Sequence, residues 1–176
     1  MVAFGGLRRL LHGTAHLAGQ PRGGPAFTAK VALFQTAINN GLLRDDTGGM
    51  LLRFVQGRPV SQVTEDFLAW VCERLAAEGK KALLLVWDNA SWHISQRVRT
   101  WIKAHNRQAK HAGGVRIVAC HLPSKSPWLN AIEPKWVHGK KAITEPDRLL
   151  TAQEVRERVY DYYGCEQVPP LEQKVA

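Results

Sequence analysis

Two carboxylates stand where their surroundings make them candidates for chemistry. Asp88 ends an uninterrupted apolar run from Ala82 to Trp87, and Glu133 is the one acid among ten Lys and Arg residues between positions 91 and 143. Such a run after Lys80-Lys81 predicts a strand buried on both faces. In an open α/β sheet, ligands gather beyond the carboxyl ends of the strands, so an acid at that edge is placed to hold a metal or a substrate. Asn89 and His93 follow directly, and residues of those types can orient a carboxylate or contact a phosphate. The same spacing also fits a simple helix cap at Asp88 or Asn89. A lone Glu inside a strongly positive segment suits a Mg²⁺ ion that bridges protein and phosphate oxygens. It has a structural alternative too: Asn130-x-x-Glu133 has capping-box spacing, which Pro134 complicates.

The elements that must position these residues read as an α/β domain with a sheet flanked by helices. Lys30 to Ile38 reads as a strand, Asn40-Gly41 and Thr47-Gly48-Gly49 as punctuation, and Met50 to Val55 as the antiparallel partner. Ser61 is placed to cap a helix carrying Val63, Phe67, Trp70, Val71 and Leu75 on one face, with Gly79 ending it. After the apolar strand, a helix with Ile94, Val98, Trp101, Ile102 and His105 on one side closes at Gly113-Gly114, and Val115 to Cys120 forms the next strand. That is a βαβ unit. A loop from Leu122 to Pro127 leads to a helical stretch around Glu133 to Ile143, and Thr151-Ala-Gln-Glu154 is a capping box opening a last helix with Val155 and Val159. Residues 1–28, with six of the fifteen glycines, read as a poorly structured segment, 29–165 as the domain, and 166–176 as a tail.

At 176 residues there is room for one such domain. A hydrophobic share of 45% and a charged share of 22% exclude wholesale disorder and fibrous classes. No apolar run approaches the roughly 20 residues of a membrane span, and Arg8-Arg9 is not followed by the apolar stretch of a secretory leader, so a cytoplasmic protein without a membrane partner is expected. Cys72, Cys120 and Cys165 form no C-x-x-C pair, which argues for reduced, buried thiols. The net charge of +9 is concentrated in 91–143 and favours a polyanion, with nucleic acid the leading candidate. Arg97, Lys125, Lys135, Lys140 and Lys141 are the candidate DNA-binding residues there. Trp92, Trp101, Trp128 and Trp136 could stack on bases, although such tryptophans more often fill a core, and His121 and His138 as ligands are weighed the same way.

The motif Leu83-Leu-Leu-Val-Trp-Asp-Asn-Ala-Ser-Trp-His93, followed by Leu122-Pro-Ser-Lys-Ser-Pro-Trp-Leu-Asn-Ala-Ile-Glu-Pro-Lys-Trp136, resembles the DDE catalytic domain of insertion-sequence transposases of the IS630/Tc1-mariner superfamily. The hairpin and Phe54 to Val60 extend the resemblance to roughly residues 20–165, with Ala131 standing where the family usually has Pro. The resemblance implies an RNase H-like fold in which Asp88 and Glu133 are the second and third acids of a metal-binding triad. Asn89, His93, Asn130 and Trp136 support them within the same motifs. It further implies two Mg²⁺ ions, with Mn²⁺ as a substitute, about 4 Å apart, which cut one strand and then direct the freed 3′-hydroxyl onto target DNA. The implied partners are transposon ends and target DNA, met by a homodimer associated with the nucleoid.

The first acid of that triad belongs on the first strand, yet residues 1–44 contain neither Asp nor Glu. Asp45 and Asp46 fall in a turn and are not substitutes. The first strand is therefore expected to be missing or degenerate, through truncation near the N-terminus, and cleavage to be impaired. The alternative is a catalytically inactive transposase remnant that still binds DNA.

Overall fold

Alternation along Met50–Gln56 sends Met50, Leu52 and Phe54 to one side and Leu51 and Val55 to the other, so this strand feeds two separate cores. The computed structural model describes residues 2–7, 39–56, 60–124, 127–144 and 150–172. In chain order the elements are β1 (Val2–Leu7), β2 (Asn39–Arg44), β3 (Met50–Gln56), α1 (Ser61–Ala77), β4 (Ala82–Trp87), α2 (Gln96–Ala112), β5 (Arg116–His121), a 3-10 turn (Pro127–Leu129), α3 (Glu133–Thr144), α4 (Ala152–Tyr163) and β6 (Leu171–Glu172). The strands form one mixed sheet in the order β5-β4-β1-β2-β3-β6. β2 runs antiparallel to β1 and β3, while β1–β4, β4–β5 and β3–β6 are parallel. This is the expected α/β fold, a mixed sheet flanked by helices, with β4-α2-β5 as its βαβ unit. Among the described residues no helix is long and apolar enough to cross a membrane.

One core lies under α1 and α2, where Val63, Phe67, Val71 and Val98 pack on Leu42, Leu83, Leu85, Trp87 and Ile117. The second lies under α3 and α4, where Ile132, Trp136, Ile143, Val155, Val159 and Tyr160 pack on Met50, Leu52 and Phe54. Because α3 and α4 cover only the β2–β3 half of their face, β4 is not buried on both sides as its sequence suggests. Leu83, Leu85 and Trp87 are buried, whereas Leu84 is 41% exposed.

Several local expectations change. The first strand, expected to be missing or degenerate, is present as β1 in the middle of the sheet, held by β2 on one side and β4 on the other. The expected strand at 30–38 lies outside the described residues, and the hairpin partner of β3 is Asn39–Arg44. Asn40 and Gly41, expected to mark a turn, are inside β2, and the turn itself spans Asp45 to Gly49. Gly41 is there for close approach: a Cβ at this position would collide with the Cη2 and Cζ2 atoms of Trp136. Ser61 does not cap α1; Val60 is the N-cap residue, and the Ser61 hydroxyl instead meets that of Ser95 at 2.8 Å. Ser95 caps α2 by accepting from the Val98 amide at 3.2 Å, and Gly113 ends the helix at φ 76°. The capping box at Thr151 and Glu154 is formed as expected. Part of the expected tail is β6, which pairs Leu171 with Val55. Cys72 is buried, and burial pushes its thiol up to about 12, but Cys120 is exposed.

Candidate active site

Asp88 follows the last residue of β4, and its carboxylate is held by local bonds. Oδ1 accepts from the Ala90 amide at 3.0 Å and lies 2.7 Å from His93 Nδ1. His93 is 1% exposed, while the Asp88 side chain is 44% exposed. The imidazole is fixed by stacking on the buried Trp87 ring at 5.0 Å and 13°. A buried ring thus presents one nitrogen to a partly exposed carboxylate. Since Ser95 caps α2, Asp88 is not spent on that helix. Asn89 Nδ2 donates to the Leu122 carbonyl at 2.7 Å and ties the exits of β4 and β5 together.

His121, at the end of β5, also stacks on Trp87, at 5.4 Å and 23°. Burial lowers the pKa of its ring, helped by Arg99 and His93, while a hydrogen bond to the Asp88 backbone acts in the opposite direction. Sequence reasoning set His121 aside. The pairing Trp87↔His121 in the parallel β4–β5 ladder is what brings it here, and its place at the end of the strand after the βαβ helix was the available signal.

Glu133 opens α3. Its amide donates to the Asn130 carbonyl at 3.0 Å, and Asn130 Nδ2 approaches Glu133 Oε1 at 3.5 Å. Burial raises the Glu133 pKa, and the negative charge of Asp88 raises it further. The two carboxylates, 45 residues apart in sequence, are thus near enough for the charge of one to act on the other. Asn130 is 1% exposed, and its Oδ1 has no hydrogen-bond partner among the described residues. Trp136 is buried, edge-on to Tyr163 at 5.3 Å, and lies over Gly41; it anchors α3 to the sheet.

The sheet register also fixes which residue of β1 lies level with Asp88. Gly5 pairs with Gly41 in the antiparallel ladder, and the parallel pairing Phe4↔Trp87 sets Gly5 beside Asp88 at its next step. Neighbours in register share a face, so Gly41, Gly5 and Asp88 form a row across the sheet. Among the described residues no group of three or more His, Cys, Asp and Glu is arranged to hold a metal ion. Two carboxylates and an unpartnered amide oxygen are nonetheless a donor set of the kind hard divalent cations use, with water and substrate phosphate completing the shell.

Of the basic candidates, Lys135 and Lys141 are exposed on α3 and Lys140 is half-buried there. Arg97 is engaged elsewhere, in a bidentate pair with the buried Glu65 at 2.8 and 2.9 Å. Lys125 lies outside the described residues.

A protein-family profile described as DDE superfamily endonuclease matches residues 43–156, more than half of the chain. No curated protein matches it. Among solved structures, the chain is similar at 11% identity and a TM-score of 0.45 to one from a cryo-EM structure of the simian T-cell lymphotropic virus intasome in complex with PP2A regulatory subunit B56 gamma. The likeness covers 79% of this chain and 53% of that one, so the chain spans about half the length of the protein it matches.

Proposed function

The chain belongs to the DDE superfamily of endonucleases, and from that premise we propose that it is the catalytic domain of an insertion-sequence transposase of the IS630/Tc1-mariner type, cleaving DNA and transferring the freed strand. What supports this reading is that Asp88, after a strand end, and Glu133, at a helix start, both lie within the matched span 43–156 and are near enough to interact electrostatically. Asp88 and Glu133 would hold Mg²⁺, or Mn²⁺ in its place. When bound, the cation supplies charge neutralisation and polarisation at the phosphoryl group. His93 fixes the orientation of the Asp88 carboxylate through Nδ1, and Asn130 positions Glu133. Lys135, Lys140 and Lys141 supply positive charge along α3 for the DNA backbone. As such an enzyme it acts as a homodimer on transposon ends and target DNA, at the nucleoid in the cytoplasm.

Gly5, beside Asp88 in the register, favours a second reading, a DNA-binding remnant with impaired or lost cleavage. Nicking of supercoiled plasmid with Mg²⁺ or Mn²⁺ separates the two. Metal-dependent nicking abolished by both Asp88→Asn and Glu133→Gln supports the enzyme. Absence of nicking with salt-sensitive DNA binding supports the remnant, and Gly5→Asp is then the variant expected to restore cutting. Nicking that persists in both substitutions contradicts the site.

A further inference from the structure

Of the four tryptophans weighed for base stacking, three are used within the fold. Trp136 is buried against Tyr163 and Gly41, Trp101 stacks on His105 at 5.0 Å against the core, and Trp92 meets His93 edge-on. Trp128 is different: it is 75% exposed, on the 3-10 turn that directly precedes the Asn130–Glu133 turn. Leu129 beside it and Val137 on α3 are also exposed. The platform under this indole is fixed, because Asn130 and Ile132, which follow it, are 1% and 0% exposed. A large aromatic ring held out to solvent on an anchored turn, a few residues from Glu133 and ahead of Lys135 and Lys141, has the chemistry of a stacking platform bordered by phosphate contacts.

We propose that Trp128 stacks on an unpaired DNA nucleotide next to the Asp88–Glu133 site. The inference rests on the DNA-processing reading above. A base inside a duplex already has both π faces covered, so only an unstacked nucleotide offers a face to the indole. DNA is the occupant favoured over a second copy of the chain because exposed lysines follow the patch and the chain carries a net charge of +9. A second copy would bring the same positive charge against it.

The test uses the full chain and a short thymidine strand carrying one 2-aminopurine, beside a fully paired duplex of the same length. Trp128→Ala is expected to weaken single-strand binding roughly tenfold and to remove quenching of the 2-aminopurine at saturation. Duplex binding should stay unchanged, and Trp128→Phe should keep most of the affinity. Equal single-strand affinity and equal quenching in parent and Trp128→Ala would overturn the stacking role while leaving DNA binding intact. A parent chain that binds neither DNA would overturn both readings. Unchanged DNA binding with a change of oligomeric state in Trp128→Ala, by light scattering, would assign the patch to contact between copies and overturn the proposal.

Discussion

The Asp88 carboxylate has its orientation set by two donors on one oxygen, the Ala90 amide and the His93 ring, and this leaves its approach to Glu133 to be decided by the backbone rather than by side-chain freedom. Such supporting partners typically change metal affinity or activity about 10–100-fold when removed. His93→Gln should therefore lower metal-dependent nicking by that range while leaving the circular dichroism spectrum unchanged; full activity in this variant would remove His93 from the site. At this scale the sequence was informative where a residue contrasts with its neighbours. An acid at the end of an apolar run and a lone acid among ten cations are both visible without coordinates. The job of Asn89 was not visible, because its acceptor, Leu122, is 33 residues away. Neither was the stack of His93, Trp87 and His121, which depends on pairing between β4 and β5.

Among the elements, α3 carries Glu133 and is seated by Trp136 on the Gly41 backbone. Gly41→Ala forces that indole to move and is expected to destabilise the protein by about 1–3 kcal/mol, with loss of metal-dependent nicking as Glu133 shifts; urea denaturation and the nicking assay would show both effects, and an unchanged denaturation midpoint would contradict this seating. Asn40-Gly41 looks like a turn signal because its true reason, Trp136, lies 95 residues further on. β1 was hard to foresee for a related reason. Its sequence, with two glycines and no acid, has little local strand signal, and its place comes from pairing on both sides.

The hairpin and α1 are joined by Arg44, which donates to Asp46 at 2.8 and 3.0 Å and to Glu78 at 2.6 and 2.7 Å. The Arg44 guanidinium holds both carboxyls below the usual range, with Lys80 adding to the effect on each. Because their folded pKa values are depressed, the stabilisation is present above the unfolded carboxylate pKa near ~4 and is lost as pH falls through the folded values. Both acids are substantially exposed, so the effect is small. Urea midpoints for the parent should fall more steeply below about pH 4 than those of Arg44→Met. Parallel acid profiles for the two would show that the pair contributes nothing.

Among the described residues, the sheet is covered on one face by α1 and α2 and on the other by α3 and α4 over β2 and β3. The Asp88 side chain after β4 is 44% exposed, as the approach of a bulky anionic substrate requires. The charge distribution supports such a substrate, since the whole net charge of +9 is matched by the excess in 91–143, the segment that includes β5, the Trp128 turn and nearly all of α3. The α/β class, the βαβ unit and the basic segment were legible because hydrophobic periodicity and composition are local properties. The extent of helix cover over each half of the sheet was not, because it depends on how α3 and α4 dock.

As a DDE-type nuclease site, Asp88 and Glu133 would together hold a divalent cation. Mn²⁺ titration of the full chain, followed by electron paramagnetic resonance and repeated with Asp88→Asn and Glu133→Gln, tests it most directly. A bound-Mn²⁺ signal in the parent that is lost in each single variant is the expected result. Mn²⁺ binding that is the same in the parent and both variants would contradict it.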